Sequence, residues 1–300
     1  EGFVSKVYSE NIPIATLNNV TFDVIDPITN NKIDIFMDKL SDENNLNFED
    51  IEKLIDSYEK WIDNQKQLIG KLDKKYQSIA SSNIQECENY LSRMKSGTQL
   101  LKDDDLIRKA FALMNSAMIQ QQNRPDKVRN IFYANSEDDK HPKKNIDPIE
   151  EIDKRSSWRP FQIAFILANI DSTINHQSEH RDLVDLIWFP TGGGKTEAYL
   201  GLSSLSLFHT RLINPSDDGV GVLMRYTLKL LTAQQFERAS RLILSMELLR
   251  KKDPELLGKK SFSIGIWVGL TVTPNTHSNK SGSIKDFCEM KNEKKDSNYK

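Results

Sequence analysis

The chain has 300 residues, with 41 Lys and Arg against 43 Asp and Glu; a net charge of −2 excludes a simple polycation, and 38% hydrophobic residues is globular composition on the polar side. No apolar run approaches the roughly 20 residues that a membrane helix needs, and no signal peptide is visible. Two distant cysteines, Cys87 and Cys288, and five scattered His exclude a disulfide framework and give no zinc-ligand spacing, so a reducing cytoplasm is the expected compartment.

In chain order, 20–25 and 32–36 alternate weakly around Asp26-Pro-Ile-Thr-Asn-Asn and predict two short strands about a turn. Residues 47–80 carry apolar side chains at helical spacing, from Ile51 to Ile79, interrupted only by Gly70. A second helix is expected over 84–101, making a helical hairpin or short coiled coil. Another follows over 103–122, opened by Asp103, Asp104 and Asp105, where the helix dipole favours acidic side chains. Residues 123–155 are breaker-rich and charged and read as a connector, which places a domain boundary near 150: a mainly helical region over 1–150 and an α/β region over 151–300. Beyond it a helix is expected from Pro160 to about Ser172. Three apolar runs, 183–189, 220–225 and 262–268, read as buried strands alternating with helices over 195–211 and 232–251, the pattern of a parallel α/β sheet. The last 25 residues are polar and lysine-rich, and with a first residue that is Glu1 they suggest a fragment of a longer protein.

Charge is unevenly spread. Residues 1–60 hold 13 acidic and 5 basic side chains, whereas 225–260 hold 9 basic and 4 acidic. A basic segment near a phosphate site is compatible with nucleic acid, although charge alone is more often a solvated helix face.

The sharpest signal is Phe189-Pro-Thr-Gly-Gly-Gly-Lys-Thr, set between an apolar run and a helix. A triphosphate needs many donors and little bulk. Thr191, Gly192, Gly193 and Gly194 allow the backbone to curl around phosphates, and the helix that starts here turns its N–H groups toward them. Lys195 supplies a point charge for the β and γ phosphates, and Thr196 a hydroxyl for magnesium, so ATP and Mg2+ are the expected cofactors. Phe189 stands where the general phosphate-loop pattern has its first glycine.

That departure resembles the first motif of superfamily 2 helicases, which opens Pro-Thr-Gly. Arg159-Pro-Phe-Gln, with Gln162 ahead of the loop, resembles the element in which a glutamine amide reads the adenine edge, pairing a donor and an acceptor with the base. Arg225-Tyr-Thr-Leu-Lys-Leu-Leu-Thr-Ala-Gln-Gln resembles the next motif, which grips one nucleic-acid strand; Arg225, Thr227 and Gln234 carry suitable donors. Gly269-Leu-Thr-Val-Thr-Pro-Asn resembles a third, with Thr271 and Thr273 toward a backbone phosphate. Together with Ala110-Phe-Ala-Leu-Met-Asn-Ser-Ala-Met, these strings resemble the helicase subunit family of the DISARM anti-phage defence systems over about 106–275. The resemblance implies the first lobe of a RecA-like motor, ATP-driven engagement of DNA that is single-stranded or has a single-stranded end, and a partner subunit of the same system, with no membrane.

No Asp-Glu-x-His or Asp-Glu-x-Asp follows a later apolar run, so the acidic pair that would hold magnesium and orient the attacking water is missing, as are the arginine motifs of a second lobe. The expectation is a stretch that binds ATP but hydrolyses it poorly by itself. Alternatives are an ATP-gated DNA sensor that does not unwind, a small-molecule kinase, and a non-catalytic interaction module built on the 47–101 helices.

Overall fold

The computed structural model describes residues 21–26, 28–134, 156–188, 193–226 and 229–267. Most of these are helix. Near the start, Asp26 closes a tight turn. Its carboxylate accepts from the Ile28 N–H (2.9 Å) and the Thr29 hydroxyl (2.7 Å), and Asn30 takes a positive φ of 55°. Asparagine tolerates that conformation because its short side chain bonds locally. The expected strand before the turn is a single bridge, Ile25 to Lys32. The one after it, β1 (Ile35–Phe36), pairs antiparallel with β2 (Ser157–Trp158), far along the chain, with Ile35 opposite Trp158.

The predicted helix over 47–80 is two helices, α1 (Glu49–Ile69) and α2 (Lys74–Asp103). The Lys71 N–H donates to the Leu68 carbonyl (2.9 Å) and the Leu72 N–H to that of Ile69 (3.0 Å), a tightened last turn that frees the chain to reverse at Gly70. Three ion pairs then cross between the helices: Glu52 with Lys102, Glu59 with Lys95, and Lys66 with Glu88. Each is one heptad from the next on both helices, the register of an antiparallel coiled-coil hairpin. Pairs this exposed contribute little each. The binding energy lies in Ile51, Leu54, Ile55 and Ile62, which join Leu91, Met94 and Leu101 in the buried core.

Asp104 caps the next helix, α3 (Asp105–Ala134), by accepting from the N–H groups of Leu106 (2.8 Å) and Ile107 (3.0 Å). This helix runs past the expected end at Gln122, through Pro125, into what the sequence marked as connector. Four more helices follow: α4 (Pro160–Ile174), α5 (Lys195–Ile213), α6 (Lys229–Lys252) and the short α7 (Pro254–Leu257). Helix α4 lies against α2 and α5, and α3 against α5 and α6. One hydrophobic core therefore draws on both sides of residue 150: Phe111, Met114 and Met118 of α3 are buried with Ile163 and Ile166 of α4 and Phe208 of α5.

Two glycines set the spacing. A Cβ on Gly97 of α2 would sit 1.9 Å from the Leu167 carbonyl oxygen of α4, so these backbones touch. A Cβ on Gly201 of α5 would fall 2.8 Å from the Trp158 ring and 2.9 Å from Ile166. Trp158 fills that notch and donates its indole N–H to Asn115 Oδ1 of α3 (2.7 Å), which fixes the ring and the start of α4 beside α5.

The three expected strands differ from the structure. Among the described residues, 183–188, 220–225 and 262–267 carry no ladder bonds, and the sheet is limited to β1 and β2. Val184 (91% exposed), Val220 (90%) and Trp188 (86%) stand open. A run apolar on both faces is buried as a strand only when neighbours pair on both edges and helices cover both faces, and among the described residues these runs pair with no neighbour. A cavity of about 440 Å³ remains where Leu186 and Trp188 meet Tyr58, Tyr90 and Phe161. Among the described residues no helix is long and apolar enough to cross a membrane.

Gly97→Ala is expected to lower unfolding free energy by about 1–3 kcal/mol, the usual cost of forcing extra volume into a close contact. Urea denaturation reads it; an unchanged midpoint would mean that α2 and α4 are not in backbone contact.

Candidate nucleotide site

The site forms where two helices begin side by side. Helix α4 starts at Pro160, which fits the first turn because its missing N–H would be unpaired there in any case. Gln162 closes a capping box, its Oε1 accepting from the Arg159 N–H (2.8 Å). The other end of the same amide reaches across: Gln162 Nε2 donates to the Gly194 carbonyl (2.7 Å). Arg159 does likewise with the Gly193 carbonyl (2.6 Å). Its guanidinium also lies over the Phe22 ring, 4.3 Å from the centroid, and Phe22 is 5.8 Å from Phe161.

Gly194 is the residue before α5 and has φ 82°. A side chain there would be strained by the backbone and would meet Gln162 Nε2 at 2.6 Å. The carbonyls of Gly193 and Gly194 are thus turned back toward α4 and tied there. Lys195 and Thr196 then occupy the first two positions of α5, where N–H groups lack partners within the helix and the dipole favours an anion. Both are half-buried.

Thr196 belongs to a compact polar group drawn from three parts of the chain. Its hydroxyl donates toward Gln235 Oε1 of α6 (3.4 Å). The Tyr199 hydroxyl lies 3.1 Å from Thr196 Oγ1, 3.2 Å from Gln235 Oε1 and 2.6 Å from the Tyr226 hydroxyl. Burial, together with the Tyr199 bond, pushes the Tyr226 phenol well above its usual range. Glu197, one position on, pairs with Arg238 of α6.

The run that leads into the loop is anchored from behind. Arg93 of α2 is buried and uses four of its five guanidinium N–H donors: two bonds to Asp185 (2.8 and 2.9 Å), one to Asn169 Oδ1 (3.0 Å) and one to the Ala168 carbonyl (3.1 Å). The bidentate geometry fixes the direction of residues 183–188.

Of the residues singled out from the sequence, the structure brings Gln162, Gly193, Gly194, Lys195 and Thr196 together. Arg225 and Gln234 are exposed, on the segment leading to α6 and on α6 itself. Thr191, Gly192, Thr227, Thr271 and Thr273 lie outside the described residues. Sequence reasoning missed Arg159 as a loop-holding residue, Tyr199, Tyr226 and Gln235. Gln234 drew attention, yet its neighbour faces Thr196; consecutive helical residues point about 100° apart, and the sequence does not say which faces in. Among the described residues no three His, Cys, Asp or Glu side chains gather as a metal site.

No family model matches the chain. A curated relative does: over 243 residues, 78% of this chain, it is 37% identical to the DISARM protein DrmA of Bacillus paralicheniformis. The chain is DrmA-like. It spans about one fifth of that relative's length, the match covering 20% of it.

In this DrmA-like chain, Arg93→Leu is expected to cost about 3–5 kcal/mol, because it leaves the Asp185 carboxylate half-buried without its counter-charge. Asp185→Asn should also destabilise, since it leaves the buried Arg93 guanidinium without its counter-charge. An unchanged urea midpoint in both variants would contradict the ion-pair reading.

Proposed function

We propose that this chain is the ATP-binding segment of a DNA helicase or translocase subunit in a DISARM defence system, coupling ATP hydrolysis to movement on or remodelling of DNA. The observation that carries the reading is the glycine-rich turn at Gly193 and Gly194. It is held open by Arg159 and Gln162 and delivers Lys195 and Thr196 to the start of α5. Similarity to DrmA supports the defence context.

In this reading the segment belongs to a RecA-like motor. The N–H groups at the head of α5 bind phosphate oxygens and Lys195 neutralises charge between them. Thr196 offers its hydroxyl oxygen to magnesium, which when bound supplies charge compensation for the β and γ phosphates. Gln162 reads adenine by exchanging its contact with the Gly194 carbonyl for the base edge, or by using its second amide hydrogen, which a primary amide always has. Phe22 and Phe161 offer ring faces nearby for the base. Arg225, Thr227, Gln234, Thr271 and Thr273 serve the phosphates of one DNA strand, and a partner subunit completes the assembly in the cell.

Lys195→Ala is expected to weaken binding of a fluorescent ATP analogue by about 10- to 100-fold, the loss of one charge-assisted bond of about 1.5–3 kcal/mol. It should abolish DNA-stimulated ATP turnover by the intact protein. Unchanged affinity and turnover would remove the motor reading; DNA-stimulated turnover without strand displacement would instead favour an ATP-gated sensor.

A further inference from the structure

The hydroxyl of Thr196 has more neighbours than nucleotide binding requires. Tyr199 has one phenolic proton and two acceptors at nearly equal distance, Thr196 Oγ1 at 3.1 Å and Gln235 Oε1 at 3.2 Å. It cannot donate fully to both. Tyr226, at 2.6 Å, completes the chain by donating to the Tyr199 oxygen. This assignment leaves every proton used once: Tyr226 to Tyr199, Tyr199 to either Thr196 or Gln235, and Thr196 to Gln235.

Two arrangements of nearly equal geometry are what a switch needs. A hydroxyl oxygen whose electron pairs are drawn to a divalent cation accepts poorly from a second donor. With Thr196 engaged in that way, the Tyr199 proton is better placed on Gln235. With Thr196 disengaged, it returns to Thr196. The elements joined here differ in role. Thr196 and Tyr199 are on the first turns of α5, Gln235 is on α6, and Tyr226 directly follows Arg225 in the segment leading to α6. Gln234, beside Gln235, faces outward.

We propose that Tyr199 is a positioning residue that relays the engagement of the Thr196 hydroxyl to the DNA-facing segment around Arg225, through Tyr226 and Gln235. The relay rests on the nucleotide and DNA roles proposed above. Tyr199 touches neither reacting atoms nor DNA; it biases the placement of Tyr226 and of the head of α6. Reciprocity requires that DNA change the affinity for the magnesium-bound nucleotide by the same factor.

The test is a binding measurement. Anisotropy of a labelled single-stranded oligonucleotide is recorded with the intact protein, with and without a non-hydrolysable ATP analogue, in magnesium and in EDTA. Wild type is expected to shift its DNA affinity by at least about 5-fold when analogue and magnesium are both present, the lower end of ordinary coupling between sites. Tyr199→Phe and Tyr226→Phe each keep the ring but remove one hydroxyl, and should bring that factor below about 2-fold. Thermal melting of each variant checks that it is folded. A wild-type factor retained in Tyr199→Phe overturns the relay. So does a wild type that binds analogue and DNA independently, while the motor reading survives. A wild type that binds no analogue defeats the motor reading, and the relay with it.

Discussion

The heads of α4 and α5 are joined by two hydrogen bonds, Arg159 to the Gly193 carbonyl and Gln162 to the Gly194 carbonyl, and the rest of the site follows from that junction. A glycine-rich loop by itself has many conformations and loses all of them on ordering. Here the Gly193 and Gly194 carbonyls are tied back toward α4, which fixes the direction in which the chain enters α5. The same Gln162 amide caps α4, which means that helix formation and loop placement are one event. Positive φ at Gly194 is the local condition for the turn, and the lack of a Cβ is what lets Gln162 approach.

The core behind the junction is organised to keep these two helix starts in register. Trp158 sits in the notch at Gly201 and is pinned by Asn115, so α3 holds α4 and α5 at once. Arg93 reaches from the coiled-coil hairpin to Asp185 and to Ala168 and Asn169 within α4, so the hairpin sets the direction of the run that enters the loop. Buried charge of this kind is a poor source of net stability but a good source of a single geometry. The N-terminal helices therefore support the junction at the heads of α4 and α5, where the nucleotide is proposed to bind.

The sequence was legible where periodicity or local chemistry decides the structure. Helices α4, α5 and α6 fall close to their expected limits, and the Asp104 cap is where the acidic run placed a helix start. It was less legible at Gly70, where a break and a tolerated glycine look the same in sequence, and at 123–134, where a proline did not end the helix. Pairing of β1 with β2 depends on two residues each side brought together by distant packing, which no local pattern encodes. The runs at 183–188, 220–225 and 262–267 carry strand composition but no ladder, because hydrogen-bonded neighbours, not composition, make a strand. At the site, the glycine-rich motif singled out Lys195 and Thr196 and the family resemblance Gln162; Tyr199, Tyr226 and Gln235 carried no such signal, since their meeting is a product of the α5–α6 crossing.

Hydrogen–deuterium exchange of the intact protein with and without a magnesium-bound ATP analogue reads the junction most directly. Nucleotide is expected to slow exchange in two separated stretches at once, the head of α5 over 193–200 and the head of α4 over 159–164. Protection confined to other parts of the chain, or none in either stretch, would contradict a nucleotide held where these two helices begin.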